Sequence, residues 1–254
     1  MVTIESLSIS YQGANGSLPA LDGFTAVFAS GRIAAILGPS GCGKTSLLNV
    51  IAGLKKPSAG VISIDGMPIN GASKGTAIIF QDFGLLPWKT AAANVELPLI
   101  INKVPAKERK DRVRVILDEF GLKEFARYYP GQLSGGMKQR IAVSRSLVSS
   151  PSLLLMDEPF SSLDALSRED AQDFLLALHE KRPLSIVVVT HSIEEAVFLA
   201  DDIFIIKGRN PGRLAVHIQN SPRLAKENFR TSPQFQEVCC RLRELMASPN
   251  LTAS

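Results

Sequence analysis

The segment Gly38–Thr45 reads GPSGCGKT and combines the residue types that bind a chain of phosphates. It fits the pattern G-x-x-x-x-G-K-[ST], in which glycines let the backbone approach the phosphates and N–H groups at a helix start bind the anion. Lys44 would then reach the β- and γ-phosphates, and Thr45 would offer its hydroxyl to Mg²⁺. The apolar run IAAIL precedes the motif and TSLLNVIAGL follows it. The sequence therefore predicts the strand, loop and helix that such a phosphate site requires.

A carboxylate pair, Asp157 and Glu158, ends a second apolar run, LLLMD. An aspartate at a strand end can hold Mg²⁺ through water, and the next glutamate can orient or deprotonate an attacking water. Alone, the pair could also be a helix cap. Beside a phosphate-binding motif, it favours phosphoryl transfer to water.

Short apolar runs that alternate with helical patterns must position these side chains. The predicted strands are Thr3–Ile9, Arg32–Leu37, Val61–Ile64, Thr76–Phe80, Leu153–Asp157, Ser185–Thr190, Ile203–Lys207 and Leu214–Ile218. Continuously apolar strands between helices indicate an α/β protein with a mainly parallel sheet. Pro105–Gly121 is charged, with apolar residues at helical spacing, and it opens a helix-rich region. One apolar helical face is predicted near the C-terminus, at Phe235, Val238, Cys239, Leu242, Leu245 and Met246.

Composition excludes several classes of protein. The 254 residues are 45% apolar, and no run of consecutive apolar residues exceeds five, whereas a membrane-spanning helix needs about 20. No basic residue precedes Arg32, so a secretory signal is not expected, and three cysteines without CxxC spacing suggest neither disulfides nor zinc. The net charge of +4 comes from residues 208–254, which suits a solvated basic helix, an anionic membrane surface or an acidic partner. A nucleic-acid partner is not expected.

The segment Leu133–Arg140, LSGGMKQR, completes a set of motifs with Lys44, Asp157 and Glu158. Together they resemble the ATP-binding subunits of ABC transporters over residues 2–220, although Met137 stands where that family often has Gln. The resemblance implies a RecA-like P-loop ATPase core with N-terminal antiparallel β elements. It places this core at about 1–87 and 151–220, an inserted helical subdomain at about 88–150, and a C-terminal helical tail at about 221–254.

The resemblance also assigns roles to individual residues, with ATP and Mg²⁺ as ligands. Residues for nucleotide contact are Tyr11, Gly38, Pro39, Ser40, Gly41, Cys42, Gly43, Lys44, Thr45, Ser46, Ser134, Gly135 and Gly136. Catalytic roles fall to Glu158, His191, Lys44 and Gln81, and metal contacts to Thr45, Gln81 and Asp157. Tyr11 would stack on adenine, although an exposed turn tyrosine is the alternative. His191 would contact the γ-phosphate, although a histidine at a strand end often makes a local hydrogen bond instead.

Partners follow from the same resemblance. A second copy would face the first head to tail, so that each Ser134–Gly136 loop covers the other copy's ATP and Ser161–Asp164 joins the two sites. The segment DFGLLPWKTAAANVELPL is similar to importers of nitrate, sulfonate and taurine, and some importers of thiamine-precursor pyrimidines look alike. Phe83, Leu86 and Trp88 would then contact a separate membrane permease, unless Trp88 belongs to the core.

These relations imply a peripheral protein on the cytoplasmic face of the inner membrane, with a substrate-binding protein as an indirect partner. Three competing classes are weaker. ABC ATPases of DNA repair or translation usually carry a coiled-coil insertion or two cassettes, and the LLPW segment argues against exporters. A GTP-binding switch would need an NKxD motif, but Asn102-Lys103-Val104 is followed by Pro105.

Overall fold

The computed structural model describes residues 1–13, 16–182, 184–220 and 229–248. The strands in this part of the chain are β1 (Val2–Gly13), β2 (Gly16–Phe28), β3 (Ile33–Leu37), β4 (Ala59–Ile64), β5 (Met67–Pro68), β6 (Thr76–Ile79), β7 (Leu153–Asp157), β8 (Ser185–Thr190), β9 (Asp202–Lys207) and β10 (Arg213–Gln219). The α-helices are α1 (Lys44–Ile51), α2 (Ala91–Ile101), α3 (Ala106–Glu119), α4 (Gly135–Leu147), α5 (Ala165–Lys181), α6 (Ile193–Leu199) and α7 (Pro233–Ala247). Short 3₁₀ helices span Lys123–Phe125, Pro130–Gln132 and Phe229–Thr231.

The chain divides into two compact units, Met1–Ser73 with Pro183–Ser254, and Lys74–Arg182. We call them the P-loop unit and the helical unit. The predicted subdomain limits at about 88 and 150 remain a prediction. Of the predicted tail, residues 221–228 and 249–254 lie outside the described residues.

The P-loop unit contains two groups of strands. β2, β1, β4 and β5 form an antiparallel sheet in that order. In the second group, β3 pairs in parallel with both β8 and β9, and β10 pairs antiparallel with β9. All five residues of β3 are buried, because a central parallel strand is covered on both faces. This strand delivers the chain to the phosphate-binding loop.

β2 is the longest strand, and the sequence analysis missed it. Its second half alternates buried Phe24, Ala26 and Phe28 with exposed Thr25 and Val27, as expected for a strand with one covered face. Its first half contains Pro19, and β2 lies at the edge of its sheet, where a missing N–H is tolerated. All eight predicted strands are present. The first of them continues past its predicted end at Ile9 and ends at Gly13.

The helical unit is built around α4, which contacts α2, α3, α5 and β6. β6 and β7 pair in parallel, with Thr76 opposite Leu153. The apolar positions predicted for Pro105–Gly121 lie in the core: Val113, Ile116, Leu117 and Phe120 are buried, and α3 occupies Ala106–Glu119.

In the P-loop unit, α7 packs against α6 through part of the predicted apolar face. Phe235, Cys239 and Leu242 are buried, whereas Val238, Leu245 and Met246 are partly exposed. Arg243 also pairs with Glu194 of α6. Among the described residues, no helix combines the length and apolar character needed to cross a bilayer.

Candidate functional site

The phosphate-binding loop lies between the buried strand β3 and helix α1, in the predicted order. Gly43 caps the helix with φ of 95°, and a Cβ there would lie 2.6 Å from the carbonyl oxygen of Ala20 in β2. Any larger residue would therefore clash with the neighbouring strand and strain the backbone. The loop keeps its shape only with glycine at this position.

Lys44 lies at the first position of α1, and its side chain is 5% exposed. Its ammonium donates to the carbonyl oxygens of Gly38 and Pro39, at 2.8 and 3.0 Å. An ammonium has three N–H groups, so these two bonds hold it within the loop and leave one for a phosphate oxygen. Next to it, Thr45 is exposed at the helix start, where a hydroxyl can meet a hydrated cation.

Gly212, which the sequence analysis did not single out, also shapes the loop. A Cβ on Gly212 would lie 2.0 Å from the carbonyl oxygen of Cys42. The Gly212 N–H donates to the Ala20 oxygen at 3.1 Å, and the Gly212 oxygen accepts from Asp22 N at 2.9 Å. The start of β10 therefore packs directly on the phosphate-binding loop. The motif NPGR indicates a turn but not this distant contact.

The Cys42 side chain is buried inside the loop, and burial raises the pKa of its thiol although the Lys44 charge opposes this shift. The thiol is therefore neutral near pH 7 and a poor nucleophile.

Tyr11 lies at the exposed end of β1 and reaches the helix that carries the loop. Its hydroxyl is 2.9 Å from Ser46 Oγ, and the Lys55 ammonium lies 3.7 Å from the ring centroid. Lys55 covers one face of the ring by a cation–π contact, so a base would stack on the opposite face. The hydrogen bond to Ser46 and the contact with Lys55 were not anticipated from the sequence.

In the helical unit, β7 is buried along its whole length and ends at Asp157, which is 8% exposed. Glu158 follows with φ of 46°, a left-handed conformation that costs on the order of 1–3 kcal/mol in a residue other than glycine. Ser161 fixes this turn, since its N–H and hydroxyl donate to the Glu158 carbonyl oxygen at 3.2 and 2.9 Å. The turn therefore holds Glu158 in one backbone conformation directly after the strand.

Ser134 caps α4, because its hydroxyl accepts from the N–H of Met137 at 3.3 Å. Ser134 and Gly135 are exposed, so the first N–H groups of this helix lie at the surface of the unit. A Cβ on Gly135 would lie 2.8 Å from Leu163 Cδ2. The Ser134–Gly136 segment and the Ser161–Asp164 loop therefore touch within one chain.

Asp164 at the end of that loop caps α5. Its carboxylate accepts from Ser167 N at 3.0 Å, and hydrogen bonds from Ser167 hold the pKa of this carboxyl below its usual range. The carboxylate is thus charged at neutral pH, as a cap at a helix N-terminus should be.

Gln81 and His191 are exposed residues that follow strand ends, one in each unit. Gln81 comes two residues after β6. His191 comes directly after β8, between Thr190 and Ser192, and the Ser192 N–H donates to Thr190 Oγ1 at 3.0 Å. Thr190 in turn donates to Glu195 at 2.6 Å, so the strand end and the start of α6 are joined on both sides of His191.

The sequence analysis missed one further contact, at Arg145 of α4. Its guanidinium donates to the carbonyl oxygens of Phe83 and Gly84, each at 2.6 Å. Phe83 has φ of 63° and is only 6% exposed, so it belongs to the core of the unit and is not an exposed docking residue. Trp88 is 70% exposed, and its interpretation as a core residue was therefore wrong.

The candidate metal ligands suit Mg²⁺ by their chemistry. Thr45 and Asp157 supply a hydroxyl and a carboxylate, and both are hard oxygen donors. No cluster of three or more His, Cys, Asp or Glu side chains able to hold a metal occurs in the described ranges.

Fold and motifs define a P-loop ATPase. A profile described as ABC transporter matches residues 21–161. The taurine import ATP-binding protein TauB of Yersinia pestis is 42% identical over 84% of this chain and 82% of its own length. An uncharacterized ABC transporter ATP-binding protein of Methanocaldococcus jannaschii, MJ0412, is 37% identical over 92% of this chain and 86% of its own.

Solved structures agree with the sequence comparisons. A dimeric structure of the ATP-binding cassette MJ0796 in a post-hydrolysis state, bound to ADP and Pi, superposes with a TM-score of 0.76. It is 32% identical and covers 87% of this chain and 99% of its own. The chain belongs to the ABC transporter ATP-binding family and is an ATP hydrolase of that family.

Proposed function

We propose that this chain is the energising subunit of an importer for a small sulfonate, with taurine as the first candidate. One observation carries the choice of solute: several relatives that are 41–42% identical over 84–86% of the chain are named taurine import ATP-binding proteins. The alternative is an importer of a thiamine-precursor pyrimidine.

For ATP hydrolysis, the phosphates must be held in place, their negative charge must be neutralised and a water molecule must be activated. We assign phosphate binding to Lys44 and the loop N–H groups, and Mg²⁺ contacts to Thr45, Gln81 and Asp157. Bound Mg²⁺ supplies positive charge against the phosphate oxygens. Glu158 orients the water or takes its proton, and its fixed backbone turn supports this role because a general base must be held in place.

His191 completes the proposed hydrolytic set with a contact to the γ-phosphate. It lies on the P-loop unit between two hydrogen-bonded residues, Thr190 and Ser192, which restrict its backbone. The restricted backbone lowers the entropy cost of placing the imidazole, whose N–H can donate to a phosphate oxygen.

Two copies are proposed to act together, since the exposed start of α4 has N–H groups that suit an anion. Within its own chain, the phosphate-binding loop already serves this purpose. The Ser134–Gly136 segment is therefore available to a second copy's ATP. A solved structure of the cassette MJ0796 is dimeric, which supports such a pair.

A separate membrane permease is the proposed site of coupling, which places the chain on the cytoplasmic face of the inner membrane. The helical unit has an apolar cavity of about 430 Å³, lined in part by Phe80, Leu97 and Ile101. Phe80, Trp88 and Ile101 are 40–70% exposed, and we propose that the permease covers these apolar side chains. A substrate-binding protein would deliver the solute to the permease.

The test is reconstitution of the chain with its cognate permease and binding protein. Taurine should stimulate ATP hydrolysis and enter the vesicles. Glu158→Gln should retain ATP binding and lose turnover by about 10²–10⁴-fold, because the general base is gone. Glu237→Gln on the exposed face of α7 is the matched control and should hydrolyse ATP normally.

Each part of the proposal has its own contrary result. Hydrolysis by Glu158→Gln at the wild-type rate would refute the catalytic assignment. Stimulation by another solute and not by taurine would change the substrate and leave the ATPase role intact.

A further inference from the structure

A groove lies between α2 and α3 in the helical unit, and none of its lining residues has a role assigned above. It encloses about 240 Å³. From α3 it is lined by Lys110, Val113, Arg114 and Leu117, which form one stripe along the helix. Ala92 and Glu96 line it from α2, and Lys123 and Ala126 close it.

The floor of the groove is apolar and is built by backbone contacts. Val113 and Leu117 are buried, and Ala92 and Ala126 are half-buried. The Ala92 N–H donates to the Ala126 oxygen at 2.9 Å, and this bond holds the closing segment against the start of α2. Because both residues are alanine, their short side chains leave the space that larger residues would fill.

The rim is cationic, and two of its charges have no ion-pair partner among the described residues. Arg109 pairs with Glu96 at 2.7 Å, and Arg112 pairs with Glu108, so these two cations of α3 are neutralised. Lys110 and Arg114, one turn apart above the floor, form no ion pair with any other described residue. Lys123 contacts Asp118 at 3.4 Å in an exposed pair, which water screens strongly.

We propose that this groove binds a small organic anion, a carboxylate or sulfonate with a short aliphatic or aromatic body. The body would lie on Ala92, Val113, Leu117 and Ala126, and the anionic group between Lys110 and Arg114. Side chains one turn apart on a helix start about 6 Å from each other, so both can reach one anionic group.

The size of the groove favours a small molecule over a peptide. A cavity of about 150 Å³ holds benzene, and drug-sized ligands need about 300–1,000 Å³, so 240 Å³ suits one ring with its acid group. The α3 stripe is only about 10 Å long. A docked helix would need anchors over more turns than this groove offers.

The test is ¹⁹F NMR of the full chain with 4-fluorobenzenesulfonate and 4-fluorobenzoate at low salt. Both anions should show saturable binding. Uncharged 4-fluorobenzenesulfonamide should bind much more weakly, because it lacks the charge. Acetate, added as a competitor, should not displace either fluorinated anion, because it lacks the apolar body. Lys110→Gln with Arg114→Gln should weaken binding about tenfold, and Ala126→Leu should abolish it by filling the groove.

Lys107→Gln is the matched control, because Lys107 is an exposed cation of α3 that does not line the groove. It should bind both anions like the wild type. Thermal melting of every variant checks folding, and two independent changes, one to the rim and one to the floor, keep the test decisive if either variant fails to fold. The proposal is overturned if neither anion binds, if the sulfonamide binds equally well, or if rim and floor variants leave binding unchanged. Protection of this groove by the permease, without any binding of the anions, would overturn it in favour of a protein partner.

Discussion

At the residue scale, Tyr11 shows how a side chain can be prepared for a ligand on one face only. Lys55 covers one side of its ring, and Ser46 holds its hydroxyl. Ser46 belongs to the same helix as Lys44, so the ring is tied to the element that carries the phosphate-binding lysine. This geometry supports the adenine-stacking role that the resemblance implied, which remains a prediction.

Two substitutions of Tyr11 test separately what its ring and its hydroxyl contribute to ATP binding. Tyr11→Ala should weaken ATP binding about tenfold or more, since stacking of a base on an aromatic ring contributes about 1–3 kcal/mol. Tyr11→Phe should bind ATP nearly as well, because the ring remains. Titration with a fluorescent ATP analogue measures both variants. If Tyr11→Ala binds as tightly as the wild type, Tyr11 is only an exposed turn residue.

At the element scale, Arg145 connects the helix that starts at the LSGGMKQR motif with the segment after Gln81. Its two hydrogen bonds hold the carbonyl oxygens of Phe83 and Gly84, where both residues have positive φ. Burial lowers the pKa of the Arg145 guanidinium and Asp82 opposes that shift, so the charge is partly desolvated and rests on these bonds. The backbone just beyond Gln81 is therefore fixed from α4.

Arg145→Ala should lower the free energy of unfolding by roughly 3–6 kcal/mol, because it removes two hydrogen bonds from a charged group, and each contributes about 1.5–3 kcal/mol. Urea unfolding measures this change. Arg127→Ala, at an exposed arginine of the same unit, should change the stability by less than about 0.5 kcal/mol. If Arg145→Ala lowers the free energy of unfolding no more than Arg127→Ala does, the Arg145 hydrogen bonds do not stabilise the fold.

The sequence predicted most elements because their patterns are local. Continuous apolar runs placed β3, β7, β8 and β9, and the glycines and lysine of the phosphate-binding loop defined their own turn. β2 was missed because Pro19 and Gly23 interrupt its pattern, and only its position at a sheet edge accommodates the proline. Gly212 and Arg145 were missed for another reason. Their roles depend on contacts with residues 61 to 192 positions away, and no local spacing encodes such contacts.

At the scale of the whole molecule, exposed apolar side chains and the start of α4 are the two proposed places of partner contact. The first is the set Phe80, Trp88 and Ile101. Trp88→Asp should leave the fold and the basal ATPase of the isolated chain intact, because Trp88 is 70% exposed.

Transport and co-purification with the permease should fall about tenfold or more, because an unpaired charge on an apolar contact is costly to bury. Trp88→Phe is the control and should transport normally. Normal transport by a folded Trp88→Asp chain would show that the permease binds elsewhere.

The second surface is the start of α4, where a second copy's ATP is proposed to bind. Glu158→Gln should be monomeric without nucleotide and should double its mass from 27.4 kDa when ATP is added, because bound ATP is no longer hydrolysed. Size-exclusion chromatography with light scattering measures the mass. Ser134→Tyr in this background should prevent the dimer by placing a bulky ring over the exposed N–H groups.

Ser232→Tyr is a matched control for the dimer, since Ser232 likewise caps a helix, α7, and its loss has a similar cost of about 1 kcal/mol. This variant should still dimerise. If both tyrosine variants have similar melting temperatures, the loss of a helix cap does not explain a difference in dimer formation between them. The head-to-tail arrangement is wrong if ATP leaves the mass unchanged, or if Ser134→Tyr dimerises as readily as Ser232→Tyr, because in either case the α4 start does not meet the nucleotide of another copy.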